Sequence, residues 1–137
     1  MSEALPEGFA PMRHRGGDFI DANGPVYMKR EAEVAILGLR LEMRHCSPGR
    51  MAHGGMLVAM VDDLMGYTVY EILGRKPAAT ASLTCDFLGP ARLGDWVEAR
   101  CQVTRAARDV IFLRGEASAN GQLVLTASAL FKLPRQA

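Results

Sequence analysis

Residues 53–72 form the longest apolar stretch of the chain, and this stretch is apolar on every side when it is drawn as a helix. Two adjacent acids, Asp62 and Asp63, are its only charges between Gly54 and Tyr70. A helix without a polar stripe is a buried helix, because none of its faces suits contact with water. The pattern therefore predicts one long central helix, enclosed by the rest of the chain. It carries two carboxylates, and a buried carboxylate is expected either to be paired or to have a functional role.

The segments on either side of this helix alternate between apolar and polar residues, which is typical of strands with one buried face. One such segment, residues 33–46, precedes the helix, and four follow it around residues 83–87, 97–103, 111–117 and 123–131. Asn120-Gly121 between the last two is a strong hairpin signal, and the short loops favour an antiparallel meander. We therefore predict an α+β fold in which an antiparallel sheet of five or six strands wraps around the helix.

The first 32 residues show no comparable pattern. Residues 1–17 are rich in Pro, Gly and charge, so we expect a loose lead-in. Residues 18–30 contain a turn at Asn23-Gly24-Pro25 and are predicted to form a short lid or an edge piece of the sheet. We accordingly divide the chain into a lead-in and possible lid at residues 1–32 and a single domain at residues 33–137.

Composition narrows the class of protein. A chain of 137 residues favours one domain with one core, and a net charge of +1 gives no electrostatic reason to bind nucleic acid or a membrane surface. Two acids argue against the apolar segment as a membrane span, and the N-terminus has no apolar signal core, so we expect a cytoplasmic protein. Scattered histidines, no HExxH pattern and three cysteines without a CxxC spacing predict reduced thiols and no metal site.

The two helix acids fall on different faces of the predicted helix. Three- and four-residue spacing places Asp62 with small residues such as Ala59 and Gly66, so a ligand can approach the backbone there. Asp63 shares its face with the bulkier Met60 and Tyr67. We interpret Asp62 as the functional acid and Asp63 as a structural one; the alternative is that both acids pair with arginines elsewhere in the chain.

A His53-Gly54-Gly55 sequence opens the predicted helix. The free N–H groups of a first helical turn suit a carbonyl oxygen that gains negative charge. Gly55 and Asp62 are seven residues apart, or about 10 Å along a helix, so one copy of the helix cannot present both groups to one reacting carbon. Two antiparallel copies can, and the spacing hints at a site shared within a homodimer.

Two stretches resemble the hotdog-fold acyl-CoA thioesterases, in the branch that contains phenylacetyl-CoA thioesterase (PaaI-like). The first is HGGMLVAMVDD, where Asp62 stands nine residues after His53, and the second is TASLTCDFLGPARLGDWVEARCQV. The resemblance covers about residues 33–133. It implies the hotdog fold, hydrolysis of an acyl-CoA to a free acid and CoA, no separate cofactor, and a homodimer that pairs into a dimer of dimers.

The resemblance also implies roles for individual residues. Asp62 would attack the thioester carbonyl or activate water, and the N–H of Gly54, with that of Gly55, would polarise the carbonyl from the other subunit. His53 would hold this loop near the thioester, and Thr80 stands where some relatives carry a Ser that positions water. The family's usual Asn six residues before the His is replaced by Ser47, which weakens that substrate contact.

Further substrate contacts are predicted from residue chemistry. Thr80 and Ser82 lie on one face of a predicted strand, where they contact either substrate or solvent. CoA carries phosphates, so basic residues at strand ends, Arg92 and Arg108 among them, are candidates to bind it. Two other classes of function stay open: a hotdog hydratase for enoyl or hydroxyacyl thioesters, and a non-catalytic acyl-CoA-binding protein.

Overall fold

The computed structural model describes residues 4–12 and 17–135. A two-residue strand β1 and a short helix α1 open the chain, and a single long helix α2 lies between the third and fourth strands. The elements in chain order are β1 (Ala10–Pro11), α1 (Gly17–Asn23), β2 (Tyr27–Glu31), β3 (Val34–Arg40), α2 (Gly54–Ile72), β4 (Ala79–Phe87), β5 (Trp96–Ala106), β6 (Val110–Ala119) and β7 (Gln122–Lys132).

The strands form one antiparallel sheet of seven strands in the order β1-β2-β3-β5-β6-β7-β4, which curves around α2. Seven α2 side chains are buried against the sheet, and the core between the two elements is continuous. The predicted α+β architecture and the buried central helix are confirmed. The predicted count of five or six strands was too low, because β1 and β2 from the N-terminal segment also join the sheet.

The predicted meander is also confirmed, since β5, β6 and β7 pair in sequence. Asn120 and Gly121 both have positive φ angles, 49° and 84°, as a tight hairpin turn requires. The strand predicted over residues 33–46 is shorter than expected, because β3 ends at Arg40 and a turn of 3-10 helix covers Met43–His45. This turn buries His45, whose ring nitrogens bond to the backbone at Glu42 and Asn23.

The N-terminal segment contributes to the core as well as to the sheet. Phe9, Met12, Ile20 and Val26 are all less than 9% exposed. Phe9 and Met12 are therefore packed, and the exposed residues Ala10–Pro11 between them pair with β2, which corrects part of the predicted loose lead-in. Residues 1–3 and 13–16 lie outside the described residues. A lid role for the segment stays a prediction. No helix in the described ranges is long and apolar enough to cross a membrane.

The backbone at Gly38 lies close to the side chains of Trp96 and Phe9, and this contact allows a test of the packing. We expect Gly38→Ala to lower the free energy of unfolding by about 3 kcal/mol, because its new Cβ would lie 2.2 Å from Trp96 Cζ2 and 2.8 Å from Phe9 Cε1. Urea unfolding would measure the loss. Gly49→Ala is the matched control, since a Cβ there meets nothing within 4 Å. Equal unfolding midpoints for the two variants would contradict this account of the β3 packing.

Candidate active site

The N-terminus of α2 presents one backbone N–H that has no partner among the described residues. His53 is the N-cap residue, with φ −64° and ψ 129°, and its Nδ1 accepts a hydrogen bond from the Gly55 N–H at 2.9 Å. The Gly54 N–H, by contrast, finds no acceptor in residues 4–12 and 17–135. Gly54 thus offers a free donor at the positive end of the helix, while the Gly55 N–H is already bonded.

The ring of Phe87 lies next to this free donor. A Cβ atom on Gly54 would stand 3.1 Å from Phe87 Cε1 and Cζ, although Phe87 itself is 56% exposed. Phe87 is the last residue of β4, so the end of this strand and the start of α2 are neighbours. The small residue at position 54 leaves room for both the ring and a ligand atom close to the backbone.

Asp62 lies in the middle of α2 and is held by β4. Thr80 Oγ1 donates a hydrogen bond to Asp62 Oδ1 at 2.8 Å. The carboxylate is half-buried and opens into a cleft of about 850 Å³, which Gly66 and Phe131 line beside it. The cleft is also lined by Asp63, Tyr67, Tyr70, Glu71, Gly74, Arg75, Pro77, Ala78 and Thr80. Asp62 therefore combines a fixed orientation with access for a small molecule.

Asp63 has a different environment from its neighbour. Its Oδ2 atom is buried and has no hydrogen-bond partner within the described part of the chain. Burial, together with the nearby charges of Asp62 and Asp21, raises the pKa of Asp63 to about 6. No arginine in residues 4–12 and 17–135 forms an ion pair with either helix acid, which speaks against the alternative that both are paired.

The pKa of Asp63 makes stability depend on pH. Because the native carboxyl has the higher pKa, the folded state binds the proton more tightly, and its stability falls as pH rises from about 4 to about 6. We expect Asp63→Asn to remove this loss. The free energy of unfolding of the variant should then exceed that of wild type by about 1–2 kcal/mol at pH 7.5 but not at pH 4. Urea unfolding at several pH values would measure the difference; a constant offset at all pH values would contradict it.

The other predicted site residues lie in three places. Ser47 Oγ donates a hydrogen bond to the Met51 carbonyl at 3.1 Å and closes the loop before α2. The backbone of Arg92 forms an isolated antiparallel β-bridge with that of Met51 in the same region. Ser82 is exposed on β4, beside an irregularity that follows Thr80. Arg108 lies in the β5–β6 turn, at a separate groove. No cluster of three potential metal ligands occurs within the described residues.

The predicted catalytic residues, together with Thr80, form two groups. His53, Gly54 and Gly55 lie at the start of α2, and Asp62 lies with Thr80 further along. Eight residues of helix separate Gly54 from Asp62, or about 12 Å. A single chain does not bring the free N–H and the carboxylate together.

Several neighbours of the site have no signal in the sequence. Arg30 Nη2 bonds to Glu71 Oε2 at 2.7 Å and to the Tyr67 hydroxyl at 3.0 Å, which fixes one wall of the cleft. The two partners are 41 and 37 residues away from Arg30, so no local pattern could have revealed these contacts. The alternation around Phe87 predicts only a strand residue, and its position over Gly54 depends on the tertiary fold.

Comparison with known proteins identifies the protein family to which this chain is similar. The Thioesterase superfamily model matches residues 49–126. A candidate esterase of Pseudomonas aeruginosa is 33% identical over 95% of this chain and 98% of its own length. A variant of phenylacetic acid degradation protein PaaI from Thermus thermophilus has 27% identity and a TM-score of 0.74 over 84% of this chain and 98% of that one.

A second solved structure shares the fold at lower identity. It is a hypothetical thioesterase from Streptococcus pneumoniae that contains coenzyme A, with 15% identity and a TM-score of 0.72 over 81% of this chain and 87% of that one. The sheet wrapped around one buried helix is the hotdog fold, as predicted. The chain belongs to the Thioesterase superfamily, and its resemblance to the PaaI-like branch is confirmed.

Proposed function

We propose that this protein hydrolyses an acyl-CoA thioester to a free acid and CoA. The observation that carries the proposal is the Asp62 carboxylate, which Thr80 orients at the edge of a cleft large enough for an acyl group. The free Gly54 N–H supplies the second requirement, a donor for the oxyanion. Membership of the Thioesterase superfamily and the coenzyme A in the Streptococcus pneumoniae structure support a CoA thioester as the substrate class.

The two groups require a second copy of the chain. A reacting carbonyl carbon must lie about 3–3.5 Å from the attacking atom, with its oxygen about 3 Å from the donor. Within one helix the Gly54 N–H and Asp62 are about 12 Å apart, too far for one carbonyl group to meet both. The oxyanion donor for Asp62 is therefore the Gly54 N–H of another subunit.

Strand β4 provides the surface for this pairing. It is an edge strand that bonds to β7 on one side only, and none of its nine residues is buried. Thr80 near one end of β4 holds Asp62, and Phe87 at the other end lies over Gly54. Antiparallel pairing of two β4 strands would set the Thr80 end of one beside the Phe87 end of the other. This places one subunit's carboxylate beside the other subunit's free N–H, twice per dimer.

The chemistry then has two possible first steps. As a nucleophile, Asp62 attacks the thioester carbon, the C–S bond breaks with release of CoA thiolate, and water hydrolyses the resulting anhydride. As a general base, Asp62 takes a proton from water while the water oxygen attacks, and the tetrahedral intermediate releases CoA. In both cases the Gly54 N–H stabilises the oxyanion and Thr80 orients the carboxylate. Water is the only co-reactant, so no cofactor is required.

The remaining predicted residues have supporting roles in this proposal. His53 fixes the first turn of α2 by accepting the Gly55 N–H, which leaves Nε2 of the neutral ring as a donor towards substrate. Ser47 and Arg92 shape the loop before α2, and Ser82 lies beside Thr80 on the paired strand. Pairing of two dimers into a tetramer stays a prediction.

Free-thiol release from a panel of aryl and aliphatic acyl-CoAs tests the reaction directly. We expect turnover of at least one member, and light scattering should give the mass of a dimer or a multiple of it. A folded dimer that turns over no member, but hydrates an enoyl thioester or only binds acyl-CoA, would overturn the proposal in favour of the other two classes. A monomeric mass at an active concentration would overturn the shared site.

A further inference from the structure

The phenyl ring of Phe87 has no role in the chemistry described above, although it lies beside the donor assigned to the oxyanion. The ring is 56% exposed, and its Cε1 and Cζ atoms lie 3.1 Å from the position of a Cβ on Gly54. Ordinary van der Waals contacts of such an atom are 3.4 Å or longer. The ring therefore already fills the space that one methyl group would need at the start of α2.

The ring is held in this place by the backbone of β4. Phe87 pairs with Leu125 of β7, and the Leu88 N–H donates to the Val124 carbonyl at 2.8 Å just beyond the end of the strand. Strand alternation places Phe87 on the same face as Cys85, which packs against the core around α2. The side chain is thus directed towards the helix, while more than half of its surface stays open.

The free Gly54 N–H and the Phe87 ring lie on the same side of the first helical turn. In an α-helix the N–H groups and the Cα–Cβ bonds both point towards the N-terminus. The ring lies against the Cβ position of Gly54, and hence next to the atom that accepts the N–H hydrogen bond. An acceptor oxygen lies about 2.9 Å from the nitrogen, and the acyl α-carbon lies two bonds, or about 2.4 Å, from that oxygen. The α-carbon of a bound acyl group is therefore within contact distance of the ring.

The carbonyl carbon of a thioester carries two substituents, and the ring suits only one of them. An acyl chain is apolar next to the carbonyl, so it can pack on a phenyl ring without loss of hydrogen bonds. The thiol arm of CoA has amide groups close to the sulfur, and an amide that meets a phenyl ring instead of water loses its hydrogen bonds. In the dimer proposed above, the Phe87 end of one β4 lies beside the Thr80 end of the other. The ring is then next to the acyl group on which the other subunit's Asp62 acts.

We propose that Phe87 is a specificity-determining residue that selects acyl groups with a methylene next to the carbonyl and discriminates against a branch at that carbon; this inference rests on the proposed function. A methyl group on the acyl α-carbon competes with the ring for the same space as a methyl group at Gly54 would. The exposed ring can move by a few tenths of an ångström, so the discrimination is about tenfold rather than absolute. Asp62 then performs the reaction, and Phe87 of the other subunit determines which acyl groups reach it.

The kinetic test compares two isomers, butanoyl-CoA and 2-methylpropanoyl-CoA, which differ only in the branch at the α-carbon. For wild type we expect kcat/KM to be about tenfold higher for the straight isomer, and Phe87→Ala should bring the two values within about threefold of each other. Leu88→Ala is the matched control and should keep the wild-type ratio. Leu88 is 53% exposed and follows Phe87 directly, but the atoms nearest to a Cβ on Gly54 all belong to Phe87.

Phe87 also lies on the strand that is expected to pair, so light scattering must show the dimer mass for each variant. Phe87→Leu keeps an apolar side chain at this position and removes only the ring. It should give a ratio between those of wild type and Phe87→Ala. If both Phe87 variants have the dimer mass and lose kcat/KM equally for the two isomers, the ring does not select the acyl group and the assignment is wrong.

A binding experiment separates this inference from the proposed function. S-(2-oxopentyl)-CoA and S-(3-methyl-2-oxobutyl)-CoA are ketones that carry the same two acyl substituents and cannot be hydrolysed. Calorimetric titration should show about tenfold tighter binding of the straight ketone to wild type, and nearly equal binding of both ketones to Phe87→Ala. If wild type hydrolyses acyl-CoA and Phe87→Ala has the wild-type ratio, the assignment is wrong. If no thioester is hydrolysed, the proposed function fails, and the titration still decides whether Phe87 selects the acyl group.

Discussion

Asp62→Asn is expected to lower kcat for acyl-CoA hydrolysis by at least about a thousandfold while leaving the protein folded and dimeric. The amide is isosteric with the carboxylate and can still accept the Thr80 hydroxyl hydrogen bond of 2.8 Å. It can neither attack a carbonyl carbon nor take a proton from water. Thiol release with a single acyl-CoA would measure the loss, and KM should change far less than kcat, because the group acts in the transition state.

Asp63→Asn is the matched control for this substitution, since it makes the same chemical change one residue further along α2. Asp63 does not contact Thr80 and its Oδ2 is buried, so its variant should keep kcat within about tenfold of wild type. Full activity of a folded Asp62→Asn protein would remove the proposed mechanism. Loss of activity in both variants would show that the acid pair, rather than Asp62, is required.

Gly54→Pro is expected to lower kcat by about a hundredfold or more, because proline removes the one N–H assigned to the oxyanion. Position 54 is the first residue of α2, where proline is well tolerated, and His53 already has the extended conformation that a following proline requires, with ψ of 129°. The helix should therefore survive the change. Circular dichroism and urea unfolding would check this, and thiol release would measure the rate.

Gly54→Ala is the control that distinguishes the loss of the N–H donor from the crowding caused by an added side chain. Alanine adds a Cβ that would lie 3.1 Å from the Phe87 ring, as proline also would, but it keeps the N–H. The phenyl ring is exposed and can move by a few tenths of an ångström, so the alanine variant should stay within about tenfold of wild type. Equal losses in the two variants would attribute the effect to crowding at Phe87 and not to the lost donor.

Mixing the two inactive variants tests the shared site. A heterodimer of Asp62→Asn and Gly54→Pro subunits contains one site with both an intact Asp62 and an intact Gly54 N–H, and one site with neither. Co-refolded or co-expressed subunits carrying different tags should therefore regain up to half of the wild-type activity per heterodimer. No recovery in a verified heterodimer would show that both groups act within one chain.

The long periodic elements were predictable because their patterns repeat over many residues. The apolar stretch that forms α2 and the alternation that forms β5, β6 and β7 each extend for ten residues or more. β2 has only five residues and none of them is buried, so no alternation of apolar and polar residues marks it as a strand. β3 ends at Arg40, and the turn that follows buries His45, whose ring bonds to the backbone at Asn23, 22 residues away and beyond the reach of a local pattern.

The candidate site was predictable in part, for the same reason. Helical spacing separated Asp62 from Asp63, and the structure gives them different surroundings. Asp62 accepts a hydrogen bond from Thr80, whereas one buried oxygen of Asp63 has no hydrogen-bond partner among residues 4–12 and 17–135. The placement of Phe87 over Gly54 depends on the end of β4 meeting the start of α2 in the fold, which no local pattern indicates.

The exposed edge of β4 affects how a newly synthesised chain behaves before it assembles. An unpaired edge strand of nine residues without a buried side chain can template pairing with any other extended chain, which is a route to aggregation. In the proposed dimer the same edge is covered by its own counterpart, and that pairing also completes both catalytic sites. Catalytic activity then depends on correct assembly, because a chain paired with any other strand lacks a complete site. Dilution below the dimer dissociation constant should therefore lower the specific activity as well as the total rate.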